Sequence, residues 1–530
     1  MNVYFLGMCI SMVIYVLIGI FVSRGVKDAN DYYVAGRRAP VLLIAGSLIA
    51  SYTSTGMFMG DAAQCYEGAF TSIILFAGMQ SAGYIIGGVF FGRYLRRSGV
   101  MTIPEFFGKR FDSVNMRRLA AVTAITMMAV YLLSVIQGIG TLMNAVTGVS
   151  YNTCIIVALV VFTVITVIAG SIGVLITDTL MAALFTATLI ISAVVICERL
   201  GGGWFLAIEN VVSNPNTADY LSWGGKPGVL YNTGLENIIW GLNYGIVWMS
   251  VCAIGPWQSS RYMMAKDEVT IVKSAPFAAV GVFVLEFIVG LVAVMVNNAN
   301  YMMDDSSRVM IWAAMNLLPT VLGVILLTGV LGAGISSATT FLSLIGASFA
   351  NDVFYSKGKK SIKIGQCAMV VVSAVVLAIA LLNPPSIFWI MFLGGAMASS
   401  SWMPVAFASI FSKRLTKTGA FCGMLFGFIG CFVLRLVTWL FNITLPVYLD
   451  PSVVGILCNI IAMVIGSALT QVSEKEKDER ERLFVIPQGE KKPASVRETL
   501  RWAKVSYLVG IVVFILMMVL WVIPYLNGRR

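Results

Sequence analysis

Ala50-Ser51-Tyr52-Thr53-Ser54-Thr55-Gly56 puts five hydroxyl-bearing side chains in the middle of an otherwise apolar run, Val41–Tyr66. A run of about 20 apolar residues crosses a bilayer as a helix. A polar, β-branched stretch at its centre marks a place where that helix breaks and frees backbone carbonyls. A second interruption, Gly255-Pro256 beside Trp257-Gln258, falls in the run Ile238–Trp257. Proline there removes a hydrogen bond and clashes with the preceding turn. Close helix packing by small residues is the plain alternative for either segment taken alone.

The rest of the chain sets these two runs among many others. Of 530 residues, 58% are hydrophobic and 12% charged, against about 25% charged in soluble domains. Leu119–Cys197 holds one charge, Asp178; Val309–Asn351 and Gln366–Ser412 hold none. Barrel-type alternation is missing, so the spans are helices. Fourteen are expected. The first seven are Val3–Ser23, Val41–Tyr66, Phe70–Tyr94, Leu119–Thr147, Tyr151–Ala169, Ser171–Cys197 and Ile238–Trp257. The others are Ser274–Asn300, Leu317–Asn351, Ile364–Leu382, Ile387–Phe411, Gly419–Leu445, Ser452–Ser473 and Val505–Leu526.

Charge sets the direction. Short cytoplasmic loops collect Lys and Arg. With both termini outside, the inward loops hold 30 of the 36 basic residues. These include Arg24, Lys27, Arg37 and Arg38; Arg93 through Arg118; Arg261, Lys266 and Lys273; Lys357 to Lys363; Lys413 to Lys417; and Lys475–Lys504. The net charge of +11 is therefore a topology signal and not a nucleic-acid footprint. The first span reads as an uncleaved N-outside anchor. Nine cysteines are scattered singly and fit packing, and the chain has no histidine for a proton relay or metal site. No GxxxxGK[ST] loop is present, which argues against an ATP-driven pump. The chain divides into 1–40 (an extra helix and cytoplasmic loop), 41–198, an external loop 199–237, 238–411, and 412–530 with the cytoplasmic loop 474–504.

Spans two to six and seven to eleven form two five-helix units, each opening on an interrupted helix. An odd number of spans inverts the second unit relative to the first, and paired interruptions in inverted repeats point to a midplane binding site. Five short motifs then carry a resemblance: Tyr33-Val34-Ala35-Gly36-Arg37, Ser47-Leu48-Ile49-Ala50, Thr102-Ile103-Pro104-Glu105-Phe106, Ile176-Thr177-Asp178 and Gly334-Ile335-Ser336-Ser337. In this order and in these spans, the chain resembles the sodium/solute symporter family over nearly its whole length. That family includes sodium/glucose, sodium/proline and sodium/sialic acid carriers.

The resemblance implies an all-α polytopic membrane protein with a LeuT-like five-plus-five inverted repeat, its first and sixth core helices broken. It implies a sodium-coupled secondary active symporter that imports a small organic solute, with no cofactor beyond sodium ions. Carried over by motif, the sodium ligands are the carbonyls of Ala50, Thr53 and Ala333 and the hydroxyls of Ser336 and Ser337. Oxygen ligands suit a hard cation, and positions 333, 336 and 337 share a helix face. Some members use an aspartate and nearby hydroxyls for a second sodium; here these are Asp178, Ser336, Thr339 and Thr340. From the rise per residue, Asp178 lies about 10 Å from the inner end of its span, so this second site sits on the cytoplasmic side of the first. A hydroxyl partner or a nearby cation such as Arg435 is the alternative for Asp178.

Glu286 and Arg435 are also isolated in apolar runs, and Asp61 and Glu67 stand at the outer end of the first interrupted helix. Those two carboxylates either face external water or draw a cationic substrate group. Where sugar-transporting members carry polar side chains, this chain has Met57, Ala77 and Trp248, which argues against a sugar. Met57, Gln80 and Trp248 are the candidate substrate-lining residues. The expected partners are a small solute, sodium and the lipid bilayer of the cell membrane, with the monomer functional and no nucleic acid. A proton-coupled carrier on the same fold, or a solute sensor without transport, are the rival readings.

Overall fold

The structure, a computed structural model, describes residues 3–23, 34–356, 358–382, 384 and 386–529, with side chains except at 15, 16, 18–23, 168–174 and 359. Arg24, Lys27, Tyr33 and Lys357 from the expected basic loops and motifs lie outside the described residues. Among the described residues the fold is helical, and the one strand-like pairing is an isolated bridge between Ala39 and Ala265. The main helices are α1 (Val3–Ser23), α2 (Val41–Tyr52), α3 (Phe70–Ile86), α4 (Val114–Thr147), α5 (Tyr151–Gly201), α6 (Gly234–Ile254) and α7 (Pro256–Met264). They continue as α8 (Glu268–Met295), α9 (Thr320–Ser348), α10 (Gly358–Leu381), α11 (Ile387–Phe411), α12 (Lys417–Leu440), α13 (Pro451–Ala468) and α14 (Pro493–Met517).

Among the described residues, 11 helical stretches are long and apolar enough to cross a membrane. Four shorter apolar helices accompany them, Val3–Ile14, Val41–Tyr52, Tyr151–Val167 and Trp204–Ser213. The second expected span comprises more than one helix. α2 stops at Tyr52, and helix resumes at Thr55 and runs to a turn at Gly68, φ 111°. That left-handed backbone suits glycine, and a Cβ there would lie 2.7 Å from the Lys226 side chain. α5 is continuous over 51 residues, about 76 Å at 1.5 Å per residue, more than twice a bilayer core of about 30 Å. The expected boundary at Gly170 falls among residues whose side chains are not described. α14 begins at Pro493 and not at Val505, because proline fits the first helical turn.

Buried and bonded arginines draw the basic segments to one end of the molecule. Arg37 donates to the carbonyls of Gly99 and Val100, each at 2.8 Å. Arg93 and Arg97 both pair with Glu268, and Arg117 pairs with Asp352 at 2.8 Å. Arg110 donates to the carbonyls of Ser409 (2.6 Å) and Glu476 (2.9 Å). The 474–504 stretch is thus docked, not freely solvated: Ser473 and Glu476 form a capping box that starts the helix Glu474–Arg482, and Glu476 is buried. At the opposite end, segment 201–237 folds over the turn at Gly68, with the Lys226 N–H donating to the Gly68 carbonyl at 2.9 Å. Both ends of the described chain lie at that end. Tyr4 packs on Gly323 at the start of α9, and Arg529 pairs with Asp219 at 3.2 Å.

Glycine governs the tightest contact in the core. α3 and α6 run side by side in the same direction. A Cβ at Gly83 would lie 2.4 Å from the Met249 carbonyl oxygen, and one at Gly87 2.6 Å from the Ala253 Cα. At the other end of the contact a Cβ on Gly241 would lie 2.9 Å from the Ser72 Cα. Backbone therefore meets backbone along most of the pair, as small residues allow in membrane helices.

Candidate ion site and central chamber

The break after α2 leaves an uncapped helix end inside the protein. The ladder closes with the Thr53 N–H donating to the Ile49 carbonyl at 2.9 Å, and Thr53 turns extended at φ −64°, ψ 93°. The Thr53 hydroxyl also donates to Ile49, at 2.7 Å. Across the gap the next bond is a long one, Phe58 N–H to the Ser54 carbonyl at 3.5 Å. The carbonyls from Ala50 to Thr53 lose the donors a continued helix would supply, and the partial negative charge of a helix C-terminus points the same way.

α9 lies against this end. A Cβ on Gly334 would lie 3.1 Å from the Thr55 methyl. Two residues further along α9, Ser336 meets Ser47 of α2 on one carboxylate, Asp178. Ala50 and Thr53 therefore face the stretch that carries Ala333, Ser336 and Ser337. The Ser337 hydroxyl is buried and has no hydrogen-bond partner. The other interruption is sharper: Gly255 takes φ −54°, ψ 138°, and Pro256 starts α7 directly.

Asp178 is the shared carboxylate, and its strongest partner is one the sequence left in a loop. Its Oδ2 accepts from the Ser47 hydroxyl at 2.6 Å and pairs with the Arg261 guanidinium at 2.9 Å. Its Oδ1 accepts from Ser336. Arg261 also donates to the Thr340 hydroxyl at 2.9 Å and to Ser47 at 3.0 Å. Both Asp178 and Arg261 are buried. Of the expected second-site residues, Asp178, Ser336 and Thr340 come together around this guanidinium, while the Thr339 hydroxyl donates to the Ser336 carbonyl at 3.0 Å. Arg435, the cation considered for Asp178, instead pairs with Asp450 at 2.7 Å. Arg261 was missed because it was counted with Lys266 and Lys273 as a loop charge. The signal was the run Gln258-Ser259-Ser260-Arg261, all buried on α7, which carries the chain inward past the Gly255 kink.

Two further carboxylates lie across α2. Asp61, expected near external water, is buried, because segment 201–237 and the 296–308 connection cover that end. Its Oδ1 accepts from the Tyr244 hydroxyl at 2.8 Å. The Glu286 Oε2 accepts from the Tyr52 hydroxyl at 2.8 Å, and its Oε1 is buried without a partner. The two carboxylates lie close enough to act on each other electrostatically. Trp248 stands between their tyrosines, 5.7 Å from Tyr52 and 6.2 Å from Tyr244, with Tyr131 at 5.8 Å and Phe76 at 6.1 Å. Gln80 lies one turn beyond Phe76 on the same face of α3. Both its amide atoms, and the Trp248 indole nitrogen, are buried and unpartnered. Of the expected lining residues, Trp248 packs in this cluster and Gln80 lies one turn from its neighbour Phe76. Met57 and Ala77 are fully buried.

A vestibule of about 410 Å³ opens on the end opposite the basic one, lined by Glu67, Gln137, Asp305, Met59 and Phe388 among others. From the vestibule, Phe388 packs on the aromatic cluster, 5.7 Å from Trp240 and 5.4 Å from Tyr244. Beside Arg261 a smaller cavity is lined by Ser47, Ser260, Met264, Thr340 and Ser343. Among the described residues no group of His, Cys, Asp and Glu is arranged to hold a transition-type metal ion.

Solved structures share this fold. The chain is similar to a sodium-coupled sialic acid symporter in a substrate-bound outward-open state, with TM-score 0.72 at 18% identity, covering 90% of this chain and 99% of that one. It is also similar to a nucleobase-cation-symport-1 family transporter in a closed conformation with bromovinylhydantoin bound, with TM-score 0.54 at 12% identity, covering 85% and 98%. A model of the sodium:solute symporter family matches residues 32–427. The chain belongs to that family. Among its relatives are the uncharacterized symporter YwcA of Bacillus subtilis (strain 168), 25% identical over 441 residues, 79% of this chain and 83% of the relative. The sodium/proline symporter of Escherichia coli (strain K12) is 24% identical over 468 residues, 83% and 87% of the two chains.

Proposed function

We propose that the protein carries a small organic solute inward across the cell membrane by alternating access, driven by sodium. The basic end faces the cytoplasm, as the positive-inside rule requires, and both termini face out. The helices from Val41 to Gly201 and from Gly234 to Phe411 act as two inverted five-helix units, each opening on an interrupted helix. The monomer is the working unit.

One sodium binds the carbonyls of Ala50, Thr53 and Ala333 and the hydroxyls of Ser336 and Ser337. The observation that carries this reading is the buried, unpartnered Ser337 hydroxyl beside the uncapped end of α2. Burying a hydroxyl without a partner is costly, and a cation held by the neighbouring carbonyls supplies one. A second sodium binds Asp178, Ser336, Thr339 and Thr340, in competition with Arg261 for the same carboxylate. Where the guanidinium is bonded, that ion is excluded; where Arg261 withdraws, the ion takes its place.

The test is thermal unfolding of the purified protein as sodium chloride replaces potassium chloride. Sodium raises the unfolding temperature, and Ser337→Ala shifts the required concentration upward. Stabilisation that ignores sodium and follows pH instead would put a proton in sodium's place.

A further inference from the structure

We propose that the buried polar and aromatic cluster between α2, α3, α6 and α8 opens to take a small organic cation, a solute with an ammonium group and one net positive charge. This rests on the symporter reading above and adds the class of solute.

Three independent observations lead there. The first is charge. Neither Asp61 nor Glu286 belongs to an ion pair among the described residues. The two fully buried arginines there are committed elsewhere, Arg110 to the carbonyls of Ser409 and Glu476 and Arg261 to Asp178. A buried carboxylate held by one phenol hydroxyl lacks most of the compensation it needs. A cation entering beside them supplies that compensation. An anionic solute would add to the uncompensated charge, and a neutral one would leave it uncompensated.

The second observation is shape. Trp248, Tyr52, Tyr131, Tyr244 and Phe76 bring their rings together beside those carboxylates. Aromatic faces attract an ammonium or alkylammonium group most strongly when water is excluded. The Gln80 amide and the Trp248 indole N–H, both buried and unpartnered, offer donors for a hydroxyl or carboxylate elsewhere on the same solute.

The third observation is the entrance. The charged side chains lining the vestibule are both acidic, Glu67 and Asp305, the latter paired with Arg308 at 2.9 Å. With Asp305 matched by Arg308, Glu67 is the lining charge without an ion pair among the described residues, and a negative mouth favours the entry of cations.

The experiment measures unfolding temperatures of the purified full chain, in sodium chloride and in potassium chloride. The probes are choline, ethanolamine and L-lysine, each set against an isostere without the net charge: 3,3-dimethyl-1-butanol, ethylene glycol and L-norleucine. The expected result is that at least one cation stabilises the protein in sodium while its isostere does not. Glu286→Gln and Asp61→Asn should each weaken that cation by about tenfold or more, the scale of losing a charge partner in a buried site, with the response to sodium alone retained. That retained response shows the variants are folded. If neither variant folds, the comparison of cation with isostere in the unmodified protein decides. Equal effects of cation and isostere, no effect of any cation, or unchanged affinity in both folded variants each overturn the proposal. A cation effect without sodium dependence would instead overturn the sodium coupling and leave the solute class standing.

Discussion

Two buried acidic centres stand on opposite sides of α2, and they are built in opposite ways. Asp178 has a guanidinium and two hydroxyls, so its charge is matched from within the chain. Glu286 and Asp61 have one tyrosine hydroxyl each and no cation among the described residues. A charge matched internally holds helices in register; a charge left open holds a place for something that arrives. Substitutions at the two centres should therefore move stability in opposite directions.

The largest effect is expected at the closed centre. Arg261→Ala leaves Asp178 buried and uncompensated and should cost about 3–5 kcal/mol. The measurement is thermal unfolding in potassium. Part of the loss should return in sodium if an ion replaces the guanidinium, and the sodium response should then steepen. An Arg261→Ala protein as stable as the parent would dissolve the contrast. At the open centre the sign reverses. Glu286→Gln removes an unmatched charge and keeps an acceptor for Tyr52, and it should raise the stability of the solute-free protein by about 1–3 kcal/mol. Calorimetry of the two variants side by side makes the comparison directly.

Ser337→Ala comes next. Loss of one oxygen ligand should raise the sodium concentration for half-maximal stabilisation about tenfold, equivalent to about 1.4 kcal/mol, read from sodium titrations. Thr340→Ala is the mildest. It removes one of several acceptors around Arg261 and should cost about 0.5–1.5 kcal/mol, with little change in the first-site affinity. If the second sodium binds at Asp178, the same variant should also make the sodium dependence of uptake less sigmoidal, which initial-rate measurements would show.

What the sequence reveals follows from how local each feature is. The break at Thr53 is visible because five hydroxyl residues crowd into an apolar run. Asp178 is visible because it stands alone among uncharged residues. Its partner is not visible, since Arg261 lies 83 positions away, and only the fold of α7 behind the Gly255 kink carries it inward. Asp61 reads as exposed because it lies near the end of a run. Its burial is decided by the covering segments 201–237 and 296–308, which no local pattern reveals.

The contact between α3 and α6 has a mechanical consequence. With Gly83 and Gly87 pressed against the Met249 carbonyl and Ala253, the two backbones meet directly at that end of the contact. Neither helix can slide or roll past the other without a steric collision. In the transport cycle proposed above, this pair would travel as one stiff beam, bending at joints beyond the contact such as Gly68 and Gly255. The compliant side would then be the one formed by α2 and α8, where the Tyr52–Glu286 bond is made.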